Sequence, residues 1–478
     1  MQFNSFGFLG FFAVLVGLYY VLPPRWRWPL LLVASYYFYS QFQLTYVLLL
    51  GYSTLCAYMA GRALERPDGP RRGLLWVGIG LQLAVLVLFK YVDVLAELLE
   101  GVLAPIASSD ALALPRLGWL LPAGLSFFVF SSISYVVDVY RRTIPAERHL
   151  GHFALYIAFF PKLVAGPIER AAPFLAQLRA GTVFQSAQMV FGLQMLLWGL
   201  FKKVVIADRL AEFVNAGFTN PDFQSPVALI VAVYFYAFQI YCDFSGYSDM
   251  AIGLAAILGI RLMENFKRPY FSRSIPEFWG QRWHISLSHW FRDYIYIPMG
   301  GNRVSRPRWY ANQMTVFLVS GLWHGASLTF IVWGALNGLY QMLYFLTGGA
   351  RKTLSASLPA VLWGALGIFV TFHLVLLSWV FFRAASVQQA WTVLSKIFGS
   401  LGMLPTLLPS YNWNGAFWTA LALIGALILI ELLDEFRSLW SWIGDRPLVL
   451  RWGFYYAVLG CLAVLGNWGA SQFVYMQF

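Results

Sequence analysis

Charge is what this sequence has least of. Asp, Glu, Lys and Arg together make up 11% of the chain, against ~25% in soluble domains. That scarcity excludes a string of soluble domains, although 478 residues would be enough for about three. Cysteine is also scarce. Cys56, Cys242 and Cys461 all lie in apolar context, and no pair has metal-ligand or disulfide-framework spacing. The sequence has no His-Glu-x-x-His pattern, no Gly-x-Ser-x-Gly elbow and no phosphate-cradling glycine loop. It therefore offers no zincin site, serine nucleophile elbow or P-loop. The opening "MQFNSFGFLGFFAVLVGLYYVLPP" lacks a basic leader and a small-residue cleavage site, so it reads as a first span and not as a signal peptide.

What is present is apolar sequence. Hydrophobic residues reach 59% and mean hydropathy is +0.64. Many runs approach the ~20 residues that carry a helix across a hydrocarbon core. The reading is an all-α polytopic membrane protein forming one domain over 1–478. Spans are expected near 6–22, 29–60 (a helical pair), 73–95, 117–140, 188–207, 226–256, 311–346, 359–382, 413–433 and 452–467. The 311–346 run is too long for one crossing. The total is about eleven crossings, with 151–165 and 386–399 as re-entrant or interfacial pieces.

The net charge of +12 fits Lys and Arg gathered in cytoplasmic loops and does not call for nucleic acid. Segment 92–115 carries four acidic residues and no basic one, so it faces outward. Segment 258–310 carries nine basic and three acidic residues, so it faces the cytoplasm. It is rich in aromatics, as an interfacial segment is, and a structureless loop of that length would be unusual.

Titratable residues within the apolar runs are costly and mark functional sites by default. His324 lies in "FLVSGLWHGASLTFIVWG" (317–334). Asp243 and Asp249 lie in "YCDFSGYSDMAIG" (241–253), where a structural polar network between helices is the commoner reading. In "RWHISLSHWFRDY" (282–294), helical spacing places His284 and Ser288 on one face. Asp293 pairs with Arg282 or Arg292. Arg282, Arg292 and Arg303 anchor the loop by the positive-inside rule, and the same guanidinium groups suit a phosphate-bearing ligand. No metal site emerges. General acid–base chemistry by histidine remains, because the imidazole titrates near neutrality.

Five motifs now carry a resemblance. "FFPKLVAGPIERA" (159–171), "GLFKKVVIADRLA" (199–211), "YCDFSGYSDMAIG", "ENFKRPYFSRSIPEFWGQRWHISLSHWFRDYIYIPMGGNR" (264–303) and "GLWHGASLTFIVWGALNG" (321–338) are similar to the membrane-bound O-acyltransferase (MBOAT) family. The nearest branch is the bacterial one that acetylates alginate, with relatives acting on peptidoglycan and cellulose. The resemblance implies a multi-helix fold around a central tunnel. It makes His324 the active-site histidine and His284 its companion. Asp243, Asp249 and Asn337 become pathway or structural polar residues. It implies no bound cofactor, with acetyl-coenzyme A as donor held by Arg282, Arg292 and Arg303. It also implies a bacterial inner-membrane location and a periplasmic or membrane-anchored transferase that receives the acetyl group. The ending "FVYMQF" (473–478) resembles the tail of this branch. There Tyr475 is either an acyl acceptor or an interfacial anchor. The rival classes are a transporter, which would show inverted repeats, and a non-catalytic scaffold of a polymer-export complex.

Overall fold

The computed structural model describes residues 1–66, 70–103, 116, 118–119, 121–468 and 473. Among these the chain is helical and forms no strand. One continuous apolar core runs from Phe3 to Phe473. The helices used below are numbered in chain order. The N-terminal part contains α1 (Phe6–Val21), α2 (Pro24–Ser40), α3 (Leu44–Glu65), α4 (Arg71–Lys90) and α5 (Leu125–Tyr140). The centre is built from α6 (Ser186–Thr219) and α7 (Pro226–Ile257). The short α8 (Ile285–Phe291) follows, then α9 (Arg306–His324) and α10 (Leu328–Leu346). Last come α11 (Ala360–Arg383), α12 (Gly415–Phe436) and α13 (Leu448–Leu465).

Seven described helices are long and apolar enough to cross a membrane: α3, α4, α6, α7, α11, α12 and α13. An eighth arises if Val387–Gly399 and Leu401–Ser410, bent by 47°, form one span. The chain is thus a multi-pass membrane protein, but the count of about eleven is not reproduced. Helices α1 and α5 have 16 residues each. At 1.5 Å per residue that is about 24 Å, short of a ~30 Å hydrocarbon core. The sequence pattern 117–140 extended too far toward its start, because the helix begins only at Leu125.

Helix α7 is the central post. Pro226 sits at its first turn and the Ser225 hydroxyl accepts the Ala228 N–H at 3.2 Å, a standard N-terminal cap. Its 32 residues would extend about 48 Å, and 78% of its most apolar window is buried. Helix α6 lies against it along a glycine seam. A Cβ on Gly199 would fall 2.5 Å from the Gly246 carbonyl oxygen, and one on Gly253 would fall 2.6 Å from that of Gly192. The paired glycines are seven residues apart on each helix, so one face of each backbone approaches the other closely.

This contact turns a costly sequence feature into a satisfied one. Residues Phe201–Ala207 form a π-helical turn within α6. It brings two consecutive lysines into the core, both buried. Lys203 pairs with Asp243 at 2.7 Å and Asp208 at 2.8 Å. Lys202 pairs with Asp249 at 2.5 Å and donates to Ser245 at 2.9 Å. Buried charge persists where it is paired and hydrogen-bonded.

Candidate active site

The long 311–346 run breaks directly after His324. Helix α9 ends there, Gly325 is extended, and Ser327 caps α10 by accepting the Thr329 N–H. The two helices fold back tightly: a Cβ on Gly321 would meet the Phe330 carbonyl oxygen at 2.3 Å. His324 is therefore the last residue of a helix at the tip of a rigid hairpin. It is 4% exposed.

His284 reaches the same place by a different route. The π-helical turn Phe278–Arg282 closes with Trp283 N donating to the Phe278 carbonyl at 2.8 Å. His284 then takes a left-handed conformation, φ 42° and ψ 54°, before α8 begins. Non-glycine residues pay for that region in strain and hold it only where their surroundings enforce it. Asn265 does the enforcing. Its carbonyl accepts the Ile285 N–H at 2.9 Å. Its side-chain Oδ1 accepts the Ser286 N–H at 3.2 Å and the Ser286 hydroxyl at 2.9 Å. Its Nδ2 donates to the Ser248 hydroxyl at 3.1 Å, tying the bend to α7.

The two imidazoles share an aromatic enclosure. Trp323 lies beside both, with centroids 6.1 Å from His284 and 4.6 Å from His324. Phe244 meets His284 edge-on at 4.6 Å. Trp333 and Phe382 meet His324 edge-on, each at 5.0 Å. Both rings are buried in a wall of carbon. Such a site excludes bulk water and holds its groups in fixed geometry.

Two cavities adjoin this enclosure. A narrow one is lined by Lys90, residues 121–127, Trp323 and His324. A larger one, about 800 Å³, runs along α6 from Ala187 to Lys202 and along α7 from Tyr241 to Ala256, and is closed by the end of α12 and segment 261–268. Neither histidine lines it. Phe266 stands between, forming part of its wall and stacking 6.3 Å from His284. On its rim, Glu264 is exposed, yet partial desolvation against the cavity wall pushes its carboxyl above its usual range, with Lys267 and Arg268 opposing the shift.

The other residues singled out by sequence fall as follows. Arg282 is enclosed by Glu277, 2.7 Å from Nε, by Glu435, and by the Arg268 carbonyl at 3.2 Å. Arg292 pairs with Asp293 at 2.8 Å, and Arg170 reaches the same carboxylate at 3.0 Å. Arg303 is exposed. Asp243 and Asp249 belong to the lysine pairs of α6. Asn337 accepts the Trp279 indole N–H at 3.0 Å and donates to the Trp333 carbonyl at 2.8 Å, joining the 278–282 turn to α10. Tyr475 lies outside the described residues. Two residues earlier, Phe473 is buried beneath the Lys203 ammonium, 4.4 Å from ring centroid to Nζ, and edge-on to Tyr247 at 4.9 Å.

Sequence reasoning missed Lys90 and Asn265. A lone lysine closing an apolar run was the only signal for the first. The second was hidden in a polar segment, and nothing in the sequence shows that it braces His284.

The chain matches the model of the membrane-bound O-acyltransferase family over residues 31–387. It is 40% identical over 442 residues to the probable alginate O-acetylase AlgI of Pseudomonas aeruginosa, covering 91% of this chain and 81% of that protein. It is 34% identical to the peptidoglycan O-acetyltransferase of Helicobacter pylori, covering 83% of this chain and 78% of that one. It is 27% identical to the teichoic acid D-alanyltransferase of Bacillus subtilis over 53% and 66%.

Proposed function

We propose, since this chain belongs to the membrane-bound O-acyltransferase family, that it moves an acetyl group across the bacterial inner membrane for O-acetylation of an extracytoplasmic polysaccharide. Family and relatives make it an acyltransferase. The names of those relatives support an O-acetylase of alginate, with peptidoglycan as the alternative polymer they name; cellulose stays as a third reading from the sequence resemblance.

The observation that carries the mechanism is the meeting of His284 and His324, from separate elements, in one buried aromatic enclosure. His324 is the general base. It takes the proton of the attacking hydroxyl as that oxygen forms a bond to the thioester carbonyl carbon. The carbon–sulfur bond then breaks and the thiolate receives the proton. His284, locked by Asn265, orients the base or the thioester. General-base help contributes ~10²–10⁴-fold in rate, and positioning supplies the rest. The donor is an acetyl thioester, acetyl-coenzyme A in the simplest version, arriving on the side of segment 258–310. Arg282 and Arg292 already face carboxylates, so exposed Arg303 is the first candidate of the three for a donor phosphate. The acetyl group passes to Tyr475 or to a residue on a periplasmic or membrane-anchored transferase.

The test uses purified protein in liposomes with radiolabelled acetyl-coenzyme A outside. Label is mapped by mass spectrometry in wild type, His324→Ala and Tyr475→Phe. Label on Tyr475 that is lost in both variants supports the relay. Turnover that is equal in wild type and Tyr475→Phe places the acceptor on a partner. Turnover that survives His324→Ala removes His324 as the base. No turnover with any candidate partner favours the scaffold.

A further inference from the structure

Lys90 ends α4, and its side chain crosses to the tip of the α9–α10 hairpin. Its ammonium donates to the carbonyl of His324 itself at 2.8 Å and to that of Trp323. The neighbouring Tyr91 hydroxyl donates to the Leu322 carbonyl. These are the last carbonyls of α9. A helix leaves them without internal partners, and they carry the negative end of its dipole. A cation there is favourable, which accounts for a lysine at the end of an apolar helix.

Helix capping does not account for everything about its position. The ammonium has three N–H donors. Two are engaged by carbonyls, and the third has no hydrogen-bond partner among the described residues. Lys90 and His324 also line the same narrow cavity. The opposite wall of that cavity is fixed. Gly124 sits at φ 75°, and a Cβ there would meet the Leu163 carbonyl oxygen at 2.3 Å. A fixed cation, a histidine and a rigid wall thus surround one small space.

We propose that Lys90 serves the acyl transfer twice: it positions His324 through the α9 carbonyls, and its third N–H receives the oxyanion of the tetrahedral intermediate. This rests on the reading of His324 as general base. As the acceptor oxygen bonds to the thioester carbon, the carbonyl electron pair moves onto oxygen beside the ammonium, and the hydroxyl proton moves to the imidazole. Collapse re-forms the carbonyl and breaks the carbon–sulfur bond. The thiolate takes the proton, giving an ester and a free thiol. A preorganised donor aimed at developing charge in a water-poor site is a strong catalytic element.

The experiment measures kcat and KM with acetyl-coenzyme A in nanodiscs, together with the melting temperature, for Lys90→Met, Lys90→Arg and Tyr91→Phe. Lys396→Met is the control. That lysine also holds helix-end and loop carbonyls, those of Pro221, Asp222 and Gln224, but lies outside the cavity. Lys90→Met is expected to lower kcat by ~10²–10³-fold, the range for loss of one oxyanion donor, with KM little changed. Lys90→Arg keeps the charge and the fold, and is expected to regain part of that loss. Lys396→Met is expected to leave kcat unchanged. Lys90→Met within a few-fold of wild type overturns the proposal, as does a loss in Tyr91→Phe equal to that in Lys90→Met. If Lys90→Met does not fold, Lys90→Gln, which can still donate to the α9 carbonyls but carries no charge, replaces it, and wild-type kcat and KM there overturn the oxyanion role. A lowered kcat at unchanged KM in Lys90→Gln supports it. Activity that survives His324→Ala is a failure of the base assignment and is read separately.

Discussion

The side-chain oxygen of Asn265 accepts both the backbone N–H and the hydroxyl of Ser286, and this pair holds the chain immediately after the left-handed His284. Replacing Asn265 with Leu leaves both Ser286 donors buried without that acceptor, a loss of about 1–3 kcal/mol per group. Asn265→Leu is expected to lower the melting temperature and to reduce acyl transfer at least ten-fold. Asn265→Gln keeps an amide that can accept from Ser286 and donate to Ser248 without burying a charge, so its rate is expected to lie closer to wild type. Equal rates in the two variants, in folded protein, would remove Asn265 as the brace of His284.

Lys203 gives the largest stability prediction. Its ammonium is fully buried between Asp208 and Asp243. Lys203→Met leaves two carboxylates facing each other in the core, and breaking a buried pair this way costs about 3–5 kcal/mol. The triple variant Lys203→Met, Asp208→Asn, Asp243→Asn removes the charges together and is expected to melt above the single variant. Thermal unfolding in detergent decides it, and a single variant as stable as wild type would show that the network is not holding α6 to α7.

The glycine seam predicts a contrast. Gly199→Ala places a methyl 2.5 Å from a carbonyl oxygen of α7, whereas a Cβ on Gly425 of α12 has nothing within 4 Å. The first variant is expected to lose about 1–3 kcal/mol through overpacking. The second is expected to be neutral or to gain a few tenths from helix propensity, up to about 1 kcal/mol. Comparing the two melting curves tests whether α6 and α7 stay in backbone contact in the bilayer.

Apolar run length made the helical class, most span positions and the need for a break somewhere in 311–346 legible, because the bilayer constrains element length so strongly; that the break falls at His324 was not. His324 stood out for the same reason, since a titratable group in carbon is conspicuous, whereas His284, in the polar segment 258–310, was singled out as a second imidazole beside a basic loop and by the family resemblance. The number of crossings was not legible, since α1 and α5 are apolar yet too short by composition alone. The lysine pairs were half legible. The carboxylates of 241–253 suggested a network, but their partners lie some 40 residues earlier on α6 and depend on a π-helical turn that no spacing rule announces. Asn265 and Lys90 were not legible at all. Each acts on backbone groups of a distant segment, and such contacts leave no periodic mark in sequence.

Glu264 predicts a pH dependence. Partial desolvation raises the folded-state pKa of this exposed side chain above the ordinary 4.5; Asp249 and Asp434 add to the rise, and Lys267 and Arg268 oppose it. The folded state therefore holds its proton where the unfolded chain has released it. Its contribution to stability is fully present below about pH 4.5 and is lost as pH rises through the folded pKa. Glu264→Gln is expected to stabilise the protein at neutral pH and to flatten the decline between those limits. Parallel melting curves for both proteins from pH 4 to pH 8 would contradict this.

The tail prediction concerns Phe473. Its ring lies under Lys203 and against Tyr247, and the Asn467 N–H donates to the Val204 carbonyl at 2.9 Å within the π-helical turn. Asn467 and Phe473 thus both contact the turn that carries the buried lysines. A cation–π contact of this kind is worth about 0.5–2 kcal/mol, and the apolar packing of the ring adds to it. Phe473→Ala is expected to lower the melting temperature through loss of that contact and of the ring's packing. Phe473→Leu keeps the packing without the ring and should fall between. If Tyr475 is the acceptor, label on it drops at least ten-fold in Phe473→Ala while the protein stays folded. A lowered melting temperature with undiminished acyl transfer would show that the Phe473 contact is structural and that the acceptor hydroxyl lies elsewhere.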